Sequence, residues 1–111
     1  MNSVGLHFEG REVDDDMVMN SLVIVESRQY ALAPYPDGTN DLLWPIRNGI
    51  ISEEHIHAEI GELLMGTRRG QTSPEQVTLY KSVGVAVQDA VAAQLVLAAA
   101  REQGVGVEVD L

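Results

Sequence analysis

Three short stretches carry side chains able to do chemistry. The first is His7, two residues after Gly5 in a glycine-punctuated loop. Histidine exchanges protons near neutral pH, so it can act there as a general acid or base; a solvent-facing loop histidine would look the same in sequence. The second is Lys81-Ser82-Val83-Gly84, between a β-prone run at 77–80 and a long Ala/Val segment. In α/β proteins ligands bind beyond the carboxyl ends of strands, where a helix begins. At such a point Ser82 can donate to a carboxylate or carboxamide, and Gly84 lets a ligand approach the backbone closely. The same residues also read as a plain strand-to-helix turn with Ser82 as N-cap, and a helix N-terminus attracts anions either way. Lys81 reads as a surface lysine, since nothing in the sequence argues for a depressed pKa or Schiff-base chemistry. The third is Glu26, which ends the apolar run at 22–25 on the same sheet edge as Gly5 and Ser82. It reads as a helix-capping or solvated carboxylate, with a cofactor contact as the sharper option.

Other polar residues suggest less. His55 and His57 stand among Glu53, Glu54 and Glu59. On a helix an i, i+2 pair points about 200° apart, so the two imidazoles cannot chelate one ion and no metal is assigned. Arg68 and Arg69 sit in a polar loop and carry no specific role.

The elements that must position these residues follow from periodicity. Residues 12–20 predict a short helix, with Asp14, Asp15 and Asp16 at its N-terminus, Val13 and Met17 inward and Val18 as a further inward candidate. Leu22-Val23-Ile24-Val25 is β-branched and unalternating, as in a parallel strand covered on both faces. Ser27 caps a second helix over 28–33, which Pro34 and Pro36 end. Residues 37–40 form a turn, and 42–46 an apolar anchor interrupted by Pro45. Ser52 caps a further helix ending at Gly66, with Ile56, Ile60, Leu63 and Leu64 on one face. The run at 77–80 is a third strand. A helix then runs from about Gly84 to Glu102, so poor in polar residues that most of its surface should be covered, and Gly104 stops it. Val105, Val107 and Val109 alternate with polar or small residues, predicting a half-buried strand. Strands alternating with helices argue for an α/β fold with a mainly parallel sheet.

Composition narrows the function classes. The chain has 111 residues, a net charge of −10 and a single lysine, Lys81. A chain of this size buries about 60–70% of its unfolded surface, enough for one small core. Phosphate binding needs a basic footprint, so nucleic acid and anionic membrane are not expected partners. The acid excess reads as a solubilising surface, with a high-salt setting as the sharper alternative. There are no cysteines, which excludes disulfides and thiolate metal sites and fits a cytoplasmic location. No secretory leader is read at Met1. The apolar stretch 83–100 is interrupted by Gln88, Asp89 and Gln94, as in a buried soluble helix rather than a membrane span.

The motifs taken together resemble the C-terminal third of the ornithine cyclodeaminase/mu-crystallin family. Asn2-Ser3-Val4-Gly5 is similar to the family's "NAVG" strand end, and Arg11-Glu12-Val13-Asp14 to its "RELD". Val23-Ile24-Val25-Glu26-Ser27-Arg28 with Ala31-Leu32 resembles "VVVDSR…AL". Pro45-Ile46 with Gly49-Ile50 resembles "PI..GLI", and Ala58-Glu59-Ile60-Gly61-Glu62 resembles "AELGE". Residues 70–73 and 77–89 resemble "GRTS…ITLFKSVGLAVED". Each piece is short; their order and spacing carry the likeness along nearly the whole chain.

The resemblance implies a fold, a cofactor and a reaction class. The fold would be the second half of a Rossmann-type, mainly parallel sheet over residues 1–83. Residues 84–111 would be a helix and strand returning to a substrate and dimerisation domain. Family members bind NAD(H) or NADP(H) and act on the carbon–nitrogen bond of small amino or imino acids: cyclising ornithine, oxidising alanine or reducing cyclic ketimines. They are typically homodimers. By this resemblance Val4, Gly5, Lys81, Ser82, Val83 and Gly84 would lie against the cofactor. His7 would occupy the proton donor/acceptor position, where cyclodeaminases have aspartate and other members serine or asparagine, which argues against ornithine cyclodeamination in particular. The sequence contains no G-x-G-x-x-G loop, and the family's substrate-binding arginine and lysine fall outside it. The expectation is therefore a truncated reading frame, a fragment or one half of a split enzyme, inactive alone. A non-catalytic interaction module is the alternative.

Overall fold

The computed structural model describes residues 10–110. Its centre is β1, Leu22–Val25, the unalternating apolar run. β1 lies between β2, Ile56–Glu59, and β3, Thr78–Lys81, in a three-stranded sheet of order β2-β1-β3. Both pairings are parallel, so all three strands end at one edge. Val23 and Val25 are fully buried, as a central strand covered on both faces requires. This is the expected second half of a Rossmann-like sheet.

Helices cover that strand. α1, Asp15–Met19, begins where Asp14 accepts the Met17 N–H at 2.8 Å, and it buries Val18. α2, Arg28–Ala31, follows β1 and buries Ala31. α3, Asn40–Arg47, starts at Thr39, whose hydroxyl accepts the Asp41 N–H. α3 differs from the expected interrupted anchor, because the helix runs through Pro45. Leu42 and Pro45 are three residues apart and buried on the same face, and that packing outweighs the helical bond proline cannot make. The core joins Val18, Val23, Val25, Ala31, Leu42, Ile51 and Ile56, with Val13, Leu32, Ile46 and Leu79 packed at its margin.

Two expected elements are not formed. The single helix from Ser52 to Gly66 is instead a 3-10 turn (Glu53–His55), β2, and α4, Ile60–Leu64. Ile56 and Ala58 are buried and alternate with half-buried His57 and Glu59, a strand pattern. Parallel pairing of Ala58 with Ile24 and of Glu59 with Val25 overrides the helical spacing of the isoleucines. Leu64, expected to face inward, is 82% exposed. The second concerns Val105, Val107 and Val109, which form no strand and are all exposed. Among the described residues no strand pairs with them, and alternation alone cannot hold an unpaired strand.

The long helix, α5, is Ala86–Gln103 and closes on Gly104 with φ 65°. None of its residues is buried, against the covered helix the sequence predicts. Among the described residues no helix is long and apolar enough to cross a membrane.

Candidate functional site

The carboxyl ends of β1 and β3 come together, and the residues singled out there do meet. Glu26 follows β1 and is 8% exposed. One of its carboxylate oxygens accepts the Val83 N–H at 2.8 Å, and the other accepts the Ser82 hydroxyl. Glu26 is therefore neither a helix cap nor a solvated carboxylate. It ties the end of the central strand to the turn after its neighbour. Ser82 in turn accepts the Gly84 N–H at 3.3 Å. Ser82 is not the N-cap of α5 either: that position is Val85, which has no side-chain oxygen to offer. Gly84 has φ 81°, a conformation L side chains rarely adopt, with open space where a Cβ would stand. A planar ligand can thus approach the backbone at Gly84.

Lys81 corrects the reading of a surface lysine. Its side chain is 12% exposed, and its ammonium contacts Asp41 at 2.7 Å and also Glu12. Asp41, at the start of α3, is 2% exposed. Its Oδ1 accepts the Glu12 and Val13 N–H groups at 2.8 and 3.2 Å, and its Oδ2 accepts the Thr39 hydroxyl at 3.3 Å. Burial pushes the Asp41 carboxyl up, but the Lys81 ammonium and the two backbone N–H groups outweigh it and hold the pKa below the usual value. Burial likewise pushes Lys81 down, and its bonds to Asp41 and Glu12 win, raising its pKa. The cluster locks β3, α3 and the segment before α1 into one wall.

That wall lines a cleft of about 270 Å³ formed by three segments: 10–12, 35–41 and 81–83. Sequence reasoning missed Asp41, Thr39 and Glu12. A signal existed for Lys81 itself, because alternation along β3 puts it on the same face as Leu79, which packs on the core. Nothing local pairs it with an aspartate forty residues earlier.

The remaining candidates separate. Val4, Gly5 and His7 lie outside the described residues. His55 bonds the Val18 carbonyl at 2.8 Å and His57 the Arg69 carbonyl at 2.6 Å, so the two rings are held apart. Among the described residues no group of three or more His, Asp or Glu side chains is placed to hold a metal. Arg68 and Arg69 are exposed. Arg28, given no role, instead braces α2 against β2 and α4. Its guanidinium reaches Glu62 at 3.1 Å and the Ile56 and His57 carbonyls, while its N–H donates to Glu59 at 2.8 Å.

Comparison with known proteins puts this cleft in context. The family model for the ornithine cyclodeaminase/mu-crystallin family matches residues 1–104. The chain is 41% identical over 88 residues to a Delta(1)-pyrroline-2-carboxylate reductase of Bacillus cereus, covering 79% of this chain and 26% of that protein. Among solved structures, Thermococcus litoralis Delta(1)-pyrroline-2-carboxylate reductase, in complex with NADH and L-proline, superposes with a TM-score of 0.74 at 38% identity. The match covers 89% of this chain and 29% of that one. An archaeal alanine dehydrogenase dimer with bound NAD superposes with a TM-score of 0.67 at 27% identity, over 91% of this chain and 30% of that one. The chain therefore spans between a quarter and a third of the length of the proteins it matches.

Proposed function

The chain belongs to the ornithine cyclodeaminase/mu-crystallin family, and from that membership we propose that it is part of an NAD(P)-dependent enzyme. The enzyme would act on the carbon–nitrogen bond of a small amino or imino acid. Support comes from the similar proteins, one a reductase of a cyclic imino acid holding NADH and L-proline and one an alanine dehydrogenase holding NAD. The observation that carries the reading is the cleft beyond the parallel strand ends, where the Ser82-Val83-Gly84 turn is anchored on buried Glu26. The nicotinamide cofactor, when bound, supplies or accepts the hydride. In this proposal Ser82, Val83 and Gly84 hold the reacting groups against the sheet edge, and Val4 and Gly5 are further cofactor-binding residues. Lys81 contributes through the wall it holds, since its ammonium is committed to Asp41 and Glu12. His7 is the proposed proton donor and acceptor.

The domain reading is carried forward in the same terms. Residues 1–83 would belong to the nucleotide-binding unit and 84–111 to the substrate and dimerisation unit. The exposed apolar surface of α5 supports this, because it is the surface of a helix awaiting neighbours. Activity would require the portion that the chain's relatives have in addition, on the same polypeptide or on a partner. Assay of the 111-residue chain with NADH or NADPH and Delta(1)-pyrroline-2-carboxylate, and with NAD and alanine or ornithine, is expected to give no turnover. Adding the complementary portion of the Bacillus cereus relative is expected to give imine reduction. Turnover by the 111-residue chain alone would overturn the need for a second portion.

A non-catalytic interaction module is the second reading, favoured by the same α5 surface. The complementation assay separates the two, since a module of that kind restores no activity.

A further inference from the structure

We propose that Glu26 makes Ser82 a hydrogen-bond acceptor toward the cleft, so that this point of the site takes an N–H donor. The inference rests on the reading of the cleft as a nicotinamide and substrate site, and it adds the polarity of one contact. The donor would be the carboxamide of a nicotinamide or the nitrogen of an amino or imino acid.

A serine hydroxyl has one proton and two acceptor positions. The Ser82 proton goes to Glu26, whose other oxygen is filled by the Val83 N–H at 2.8 Å. Glu26 is buried, so water does not compete for these bonds. The Gly84 N–H at 3.3 Å uses one acceptor position of Ser82. Among the described residues Ser82 makes no further hydrogen bond, which leaves one lone pair at the cleft wall. A carbonyl or carboxylate arriving there would meet a lone pair backed by a glutamate. Lys81, on the same wall, offers no relief, because Asp41 and Glu12 share its ammonium. An N–H group meets an acceptor at the same point. Sequence reading made Ser82 a donor; its bond to Glu26 reverses that role.

The test uses two matched pairs of probes with the 111-residue chain, followed through the Val83 and Gly84 amide resonances. Nicotinamide mononucleotide is compared with nicotinic acid mononucleotide, which carries a carboxylate in place of the carboxamide. L-Proline is compared with tetrahydrofuran-2-carboxylate, which has a ring oxygen in place of the N–H. The N–H member of at least one pair should bind about tenfold tighter, the scale of one unsatisfied polar contact. The pair that shows the preference identifies which group faces Ser82. Ser82→Ala should bring the two members of that pair to within about twofold. Glu26→Gln can donate its amide to Ser82 and free the hydroxyl proton for the cleft, so the preference should reverse. A preference that survives Ser82→Ala would mean that the Glu26 charge alone discriminates, and would overturn the inference. So would equal binding of both members of both pairs to the unmodified chain. Binding of none of the four would instead remove the reading of the cleft on which the inference stands, and the inference with it.

Discussion

Lys81 and Asp41 define a cost that a small core bears only if both stay in place. Removing one member of a buried ion pair leaves the other charge without its partner, which costs about 3 kcal/mol or more. Lys81→Met strips Asp41 of its cation and leaves only the Glu12 and Val13 N–H groups and Thr39. Asp41→Asn leaves Lys81 with Glu12, which is more exposed. Urea unfolding should therefore show a loss of about 3 kcal/mol for Lys81→Met and a smaller one for Asp41→Asn. An inverted order would mean that the lysine, and not the aspartate, is the group that needs rescue. The pH dependence follows from the directions of the shifts. Asp41 is held below its ordinary 3.8, so its contribution is complete above that value and is lost as pH falls through its lower folded pKa. Lys81 is raised above 10.5, so its contribution is complete below that value and is lost as pH rises through its higher folded pKa. The pair thus supports the fold across the whole range between 3.8 and 10.5. In Asp41→Asn the acid-side loss should shrink in pH-dependent urea titrations.

At the scale of elements, what was legible depended on whether a segment's own pattern named its partner. β1 was readable because four consecutive β-branched or leucine residues can be satisfied only by cover on both faces. α1 was readable from Asp14 and the acids after it, although its last turn falls short of the expected end. β2 was not, because Ile56, Ile60 and Leu63 recur at a helical spacing while Ile56 and Ala58 also alternate. The choice belongs to β1, whose hydrogen-bonding edge is absent from the local pattern. Ala58 is the residue that records this choice. It is fully buried opposite Ile24, with no exposed surface into which a larger side chain could extend. Ala58→Leu should overpack the sheet and cost about 1–3 kcal/mol in thermal or urea unfolding, whereas the same change on an exposed helix face would be close to neutral. Gly104 is a simpler case. Its φ of 65° and the bond from the Val105 N–H to the Ala100 carbonyl at 3.0 Å end α5 in a left-handed cap, as the sequence implied. No atom crowds the position, so Gly104→Ala should cost only the left-handed strain, about 1 kcal/mol. It should appear as faster amide exchange at Gly104 and Val105 with no change in the sheet.

The whole molecule is larger than its length predicts. A compact domain of this size has a radius of gyration of about 13 Å, and this chain has 17.3 Å, with extents of 54 × 35 × 23 Å. α5 contributes eighteen residues with no buried side chain, and an exposed segment over 105–110 follows it. The sequence said that this helix should be covered, and it is apolar enough to need it; the described residues contain nothing that covers it. Val87, Val91, Leu95 and Val96 are all at least half exposed, and Leu95 is 66% exposed. With no buried residue the helix rests largely on its intrinsic propensity, so its amides should exchange far faster than those of β1. An exposed apolar surface of this kind drives association. The 111-residue chain should therefore show a mass that rises with concentration in size-exclusion chromatography with light scattering. Val91→Glu combined with Leu95→Glu should return it to a monomer. Because neither residue touches the core, the unfolding midpoint of the sheet should stay within about 0.5 kcal/mol of the unmodified chain. A monomer at all concentrations before mutation would show that α5 is tolerated by water as it stands. That would remove the support it lends both to a dimerisation unit and to an interaction module, while leaving the cleft at the carboxyl end of β3 untouched.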